Sequence, residues 1–219
     1  MQLSAKTTAT LKAIVFVAAL VPVARLAGAL VFDPEALGAN PAEFITRTTG
    51  DWTLRFLLLT LAITPLRKLL GWHWLAGFRR MLGLYAFFYG LVHVSSYVSF
   101  DHVFELAEIL KDIVKRPFIT VGFTTLVLML PLAMTSTDRM VRRLGAKRWL
   151  ALHRLVYVIA PLGVLHFWWM VKADLTEPAL YAAILALLLG YRVAAKVKDA
   201  RKRAARGGRA PLPQARANG

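Results

Sequence analysis

Hydrophobic positions gather in six runs along the chain, separated by short polar or charged stretches. The runs cover Leu11–Phe32, Trp52–Leu70, Met81–Phe100, Phe118–Met134, Trp149–Val171 and Ala179–Ala195. Each approaches the ~20 apolar residues that a helix needs to cross a hydrocarbon core. The pattern predicts an all-α membrane protein, a bundle of six transmembrane helices within one domain spanning residues 1–200. Residues 201–219 are basic, Gly/Pro-rich and short of large apolar side chains, which predicts a disordered tail. Lys6, Lys12 and the Ala27-Gly28-Ala29 triplet imitate a signal peptide, but the apolar run continues past Pro22 and Arg25 to Phe32. That is long for a cleaved segment, so a retained first helix is expected. Pro22 and Arg25 predict that this helix is bent and faces the bundle interior.

Charge sets the orientation. With the N-terminus inside, twenty of the 28 basic residues fall on the cytoplasmic side and ten of the 12 acids on the other. The basic count decides topology, and it places both termini in the cytoplasm. The formal charge of +16 therefore reads as attraction to anionic lipid headgroups rather than to nucleic acid. A membrane is the expected location. The absence of cysteine excludes structural disulfides, iron–sulfur clusters and thiol relays.

Five histidines remain to be placed. His73 lies between Trp72 and Trp74 in a short connection and reads as part of an interfacial aromatic belt. His102 follows the third run and reads as a solvated loop residue. At 1.5 Å per residue, His93 lies ~20 Å and His166 ~25 Å from the cytoplasmic edge, on helices that run in the same direction. Two neutral imidazoles at matched depth are what six-coordinate haem iron requires, with Phe87, Phe88, Tyr89, Tyr97, Phe167, Trp168 and Trp169 as the expected wall. His153, only ~6 Å deep, falls ~140° around an ideal helix from His166. It either serves a second cofactor or pairs with a lipid or loop group. Gly83 and Gly90 admit a neighbouring helix or a flat porphyrin. Pro65 and Pro131 predict a bend or a helix end; Thr64, Thr135 and Ser136 are expected to cap those ends, with contact to a cofactor edge as the alternative.

The blocks TGDWTLRFLLLTLAITPLRKLLG (Thr49–Gly71), RRMLGLYAFFYGLVHVSSY (Arg79–Tyr97), KRPFITVGFTTLVLMLPLAMTS (Lys115–Ser136) and LGAKRWLALHRLVYVIAPLGVLH (Leu144–His166) resemble the MsrQ family. That family belongs to the ferric-reductase-like transmembrane superfamily, and the resemblance spans Leu11 to Ala195. It implies haem b held by His93, His153 and His166, an association with FMN, and electrons drawn from quinone or a cytosolic flavin reductase. It also implies a periplasmic molybdenum partner, MsrP, that reduces methionine sulfoxide. Superfamily members with two stacked haems carry two histidines on each of two helices. Here the positions 14 and 13 before His93 are Arg79 and Arg80, and a guanidinium is no iron ligand. These arginines suit a propionate, a flavin phosphate or a lipid headgroup. One secure haem is expected between His93 and His166, with FMN or quinone near Arg79, Arg80 and His153.

The acidic loops Asp33–Asp51 and Asp101–Asp112 are expected to dock the partner, with Lys115–Pro117 breaking the acidic pattern. No side chain suits catalysis on methionine sulfoxide, so the reading is an electron-transfer subunit. Two other readings stand beside it. A quinol-fed transmembrane ferric reductase would use the same ligands, and a proton channel would use the histidines as a relay. No G-x-G-x-x-G follows a strand, so a self-contained NADPH-driven reductase is not expected.

Overall fold

The computed structural model describes residues 3–101 and 103–207. His102 and the tail beyond 207 lie outside the described residues. Within them the chain is helical, with α1 (Ala5–Phe32), α2 (Pro41–Leu70), α3 (Arg79–Ser96), α4 (Leu106–Lys115), α5 (Pro117–Met134), α6 (Asp138–Leu144), α7 (Ala146–Leu152), α8 (Val156–Met170) and α9 (Thr176–Gly207). Short 3₁₀ turns precede α3 and α8, and a π turn, Tyr97–Asp101, follows α3. Five stretches are long and apolar enough to cross a membrane: Ala5–Phe32, His73–Phe100, Pro117–Met134, Ala146–Met170 and Thr176–Ala205. The second predicted run differs, because α2 carries Arg55, Arg67 and Lys68 among its leucines.

α2 is nevertheless the centre of the bundle. It buries Leu54, Phe56, Leu57, Leu58, Leu61 and Ile63, and it packs most extensively on α3. It begins eleven residues before Trp52, because Asn40 caps it by accepting from the Glu43 amide at 3.2 Å and Pro41 opens its first turn. Pro65 is buried within the helix and does not end it; Gly71, at φ 69°, does. The Pro22 region of α1 is bridged by a tyrosine. The fully buried Tyr89 hydroxyl donates to Ala19 O at 2.8 Å and accepts from the Val23 amide at 3.2 Å. A side chain thus stands within the helical ladder next to a proline that has no N–H to give. Arg25, expected inside the bundle, lies exposed on the helix surface near its end, where a long cationic side chain reaches polar surroundings.

Three other expectations are corrected. The fifth run is interrupted: α7 ends at Leu152, His153–Leu155 form a 3₁₀ turn, and α8 starts afresh. A phase computed for one ideal helix therefore does not relate His153 to His166. The stretches read as acidic loops are largely ordered helix. Two of their acids pair with bases one turn away, Glu43 with Arg47 at 2.7 Å and Asp112 with Arg116 at 2.8 Å. Finally, α9 continues to Gly207, past the Ala195 end expected for the sixth run.

α4 was not anticipated, because at ten residues it is too short to register as a crossing. Ile109 and Ile113 turn toward the bundle, whereas Leu106, Leu110 and Val114 remain exposed.

Candidate functional site

Where the N-terminal ends of α2 and α5 meet the C-terminal ends of α3 and α8, α4 closes over a cavity of about 290 Å³. Its lining is mostly apolar, from Leu54, Leu57, Ile109, Ile113, Phe118, Phe123 and Phe167. His93 of α3 and His166 of α8 both line it. Their ring centroids are 6.1 Å apart and their planes cross at 78°.

Each imidazole is anchored to a neighbouring helix. His93 Nδ1 lies 2.8 Å from Thr46 O, and His166 Nδ1 lies 2.6 Å from Phe118 O. A carbonyl oxygen only accepts, so both Nδ1 atoms carry hydrogen and both Nε2 atoms keep a lone pair. This is the arrangement by which a protein fixes the tautomer and direction of a metal-binding histidine. No group of three or more His, Cys, Asp or Glu side chains gathers for a bare metal among the described residues. Two imidazoles leave most of a metal's coordination sphere unfilled. A porphyrin supplies the missing equatorial nitrogens and leaves two axial positions for them. The donor set and the apolar lining therefore fit haem. Arg47 and Arg116 also line this cavity, and guanidinium groups suit carboxylates.

A second cavity, of about 70 Å³, lies toward the opposite ends of the same helices. Arg79, Arg80 and His153 all line it, together with Thr60, Trp149 and Ser136. The structure thus brings these three predicted residues together, apart from the His93–His166 pair. His153 Nε2 is 3.1 Å from Thr135 Oγ1, and its ring stacks on Trp149 at 3.8 Å and 25°. Trp149 Nε1 donates in turn to Thr135 O at 2.8 Å. Thr135 and Ser136 each also donate to a carbonyl one turn back in α5, at 2.6 and 2.7 Å, so local bonding is part of their use. Arg80 donates to Asp138 at 2.6 Å and holds that carboxyl below the usual carboxylate range. Arg79 has no ion-pair partner among the described residues. Leu57 and Met129, both buried, line both cavities and so stand between them.

The predicted aromatic wall divides. Tyr97 and Phe167 line the first cavity and Phe87 lines the second. Phe88 packs on Tyr89, which stacks on Phe56; Trp168 and Trp169 are exposed. Phe118, Phe123, Arg47, Arg116, Gly50 and Gly122 were missed as lining residues. Phe118, Phe123 and Gly122 sit on an apolar helix with no polar face to direct them. Arg47 and Arg116 lay in stretches read as loops.

A family model described as ferric reductase like transmembrane component matches residues 49–164. Two relatives are named protein-methionine-sulfoxide reductase heme-binding subunit MsrQ. The one from Herminiimonas arsenicoxydans is 60% identical over 185 residues, 84% of this chain and 84% of that protein. The one from Ralstonia nicotianae is 54% identical over 200 residues, 90% of this chain and 91% of that protein. No solved structure matches the chain. With its ferric-reductase-like core and identity sustained over most of its length, this multi-pass membrane protein belongs to the MsrQ family.

Proposed function

We propose that the chain is a membrane electron-transfer subunit that holds haem b between His93 and His166 and serves a periplasmic methionine sulfoxide reductase, MsrP. The observation that carries this reading is the pair of Nδ1 tethers, which leaves both Nε2 atoms as ligands facing one apolar cavity. The names of the relatives support it. Bound haem supplies one-electron redox chemistry. The chain's own residues would hold and orient it: His93 and His166 through Nε2, Arg47 and Arg116 by their charge toward its carboxylates, and Ile109 and Ile113 of α4 as a cover against water. Methionine sulfoxide chemistry belongs to the partner.

The second cavity is the place for the electron donor's group. Arg79 and Arg80 present cations suited to an FMN phosphate, and His153 presents an imidazole beside a quinone or flavin ring. In this reading α2 is the sixth crossing, despite its charges, and both termini lie in the cytoplasm of an inner-membrane protein. Electrons then enter from quinone or a cytosolic flavin reductase at the Arg79–Arg80 end and leave at the α4 end.

The test is a dithionite-reduced minus oxidised spectrum of the purified chain with pyridine haemochrome quantitation. A low-spin b-type spectrum that collapses in His93→Ala and in His166→Ala is the expected result. A colourless wild type, even after haem supplementation, would overturn the reading.

A further inference from the structure

Each tether of the first cavity is accompanied by a glycine at the same place. Gly50 stands four residues after Thr46, and Gly122 stands four residues after Phe118. In an α-helix those glycine amides pair with the very carbonyls that accept from the histidines. The Cα–Cβ bond of a helical residue tilts toward the helix N-terminus, so a side chain at either position would lean over that carbonyl. The imidazoles occupy that ground instead. A Cβ on Gly50 would lie 3.1 Å from His93 Cε1 and Nδ1. On Gly122 it would lie 2.7 Å from the same two atoms of His166 and 3.1 Å from its Nε2, so a methyl group there meets the face of the ring. The other cavity glycines behave differently. Gly90 and Gly163 face the methyl ends of Leu126 and Leu54, at 3.2 and 3.6 Å, and no imidazole is among their nearest neighbours.

We propose that Gly50 and Gly122 are positioning residues: each bares a backbone carbonyl so that an imidazole can lie against the helix, donate from Nδ1 and aim Nε2 into the cavity. The device occurs once on α2 for His93 and once on α5 for His166. Two anchors on different helices hold the ring planes near the observed crossing of 78°. A methyl group forces the ring off its acceptor, rotates it and misdirects its Nε2. Because the ring is the ligand, the damage falls on coordination rather than on helix packing. This rests on the haem reading above.

The experiment compares the full chain, purified from haem-replete cells, as wild type, Gly122→Ala, Gly50→Ala and Gly190→Ala. Gly190 has nothing within 4 Å of its Cβ position and serves as the control. Two quantities are read: haem per protein, and the ferric EPR spectrum, whose anisotropy reports the angle between axial imidazole planes. Gly122→Ala should retain haem about tenfold less well, as for loss of an outer partner of a metal ligand, and its remaining signal should shift or become high-spin. Gly50→Ala should change in the same direction by less, and Gly190→Ala should match wild type. Should Gly122→Ala fail to assemble, Gly50→Ala, with its milder contact, decides by the same two readouts. Wild-type haem content and an unshifted signal in the glycine variants that assemble would overturn the positioning role and leave the haem reading intact. A wild type without haem would overturn both.

Discussion

The two cavities of this bundle treat their histidines in opposite ways. In the first, His93 and His166 are held through Nδ1 by backbone carbonyls, and each Nε2 is left to the cavity. In the second, His153 is engaged through Nε2 by the Thr135 hydroxyl and pressed against Trp149. A backbone anchor is part of a helix and moves only with it. A hydroxyl is a rotor that can exchange partners. The first cavity thus presents imidazoles fixed in direction, whereas the second presents an imidazole whose bonding changes when Thr135 turns. Charge follows the same division. The second cavity combines Arg79 and Arg80 with an acid on the surface, while the arginines of the first have acids one turn away.

The largest effect that sharpens this contrast comes from exchanging which histidine is removed. His93→Ala and His166→Ala each delete one of the two proposed haem ligands and should abolish the low-spin haem spectrum. His153→Ala should leave that spectrum in place and instead alter reduction by quinol or flavin. Equal loss of the spectrum in all three variants would erase the distinction between the cavities.

Next in size is the arginine pair. Arg80 already shares its charge with Asp138 at 2.6 Å, whereas Arg79 has no such partner among the described residues. A charge-assisted contact contributes roughly 1.5–3 kcal/mol, so Arg79→Ala should weaken binding of an FMN-type phosphate by about tenfold or more. Arg80→Ala should cost less. Titration of the purified chain with FMN, followed by flavin fluorescence, measures both; a larger loss from Arg80 would reverse the assignment.

A smaller effect is expected from Tyr89→Phe. The hydroxyl joins α3 to α1 by two hydrogen bonds beside Pro22, and its loss should lower stability by about 1–2 kcal/mol without altering the haem spectrum. Thermal denaturation in detergent, read alongside the spectrum, separates the two.

How much of this was legible in the sequence differs between the cavities. Matched depth was enough to pair His93 with His166, because depth along a helix survives uncertainty in its rotation. The grouping of Arg79, Arg80 and His153 came from the family resemblance, in which the two arginines stand where superfamily members with two stacked haems carry a second histidine pair. The tethers were not, since Thr46 and Phe118 contribute only carbonyl oxygens, which every residue has. Gly50 and Gly122 were silent for a related reason: a glycine in an apolar helix says that something comes close, but not what. The break at His153 was hidden too. WLALHRLVYV has neither Gly nor Pro, and its one polar interruption, His153-Arg154, does not by itself mark a 3₁₀ turn. Helix α4 escaped notice because, at ten residues, it is too short to register as a crossing.

The smallest expected effect is a pH dependence confined to the second cavity. Asp138 is a surface residue whose carboxyl is held below the ordinary range by its hydrogen bond to Arg80 and by that charge. A lowered folded value means that the pairing is fully present above the unfolded aspartate value of about 3.9 and is lost as pH falls through the lowered one. Between pH 8 and pH 5 the pair should therefore be constant, and Arg80 should remain partly neutralised. As pH falls through that lowered value, protonation of Asp138 should release Arg80. Asp138→Asn should produce the released state at every pH, giving somewhat tighter FMN binding at neutral pH and a flatter acid limb. Added salt should narrow the gap between variant and wild type, because the pair is exposed and screened. The first cavity offers a built-in comparison: its haem spectrum should not differ between Asp138→Asn and wild type at any pH. If the variant binds FMN as wild type does from pH 8 down to the acid limb, Asp138 does not govern Arg80, and the inequality of the two arginines must have another origin.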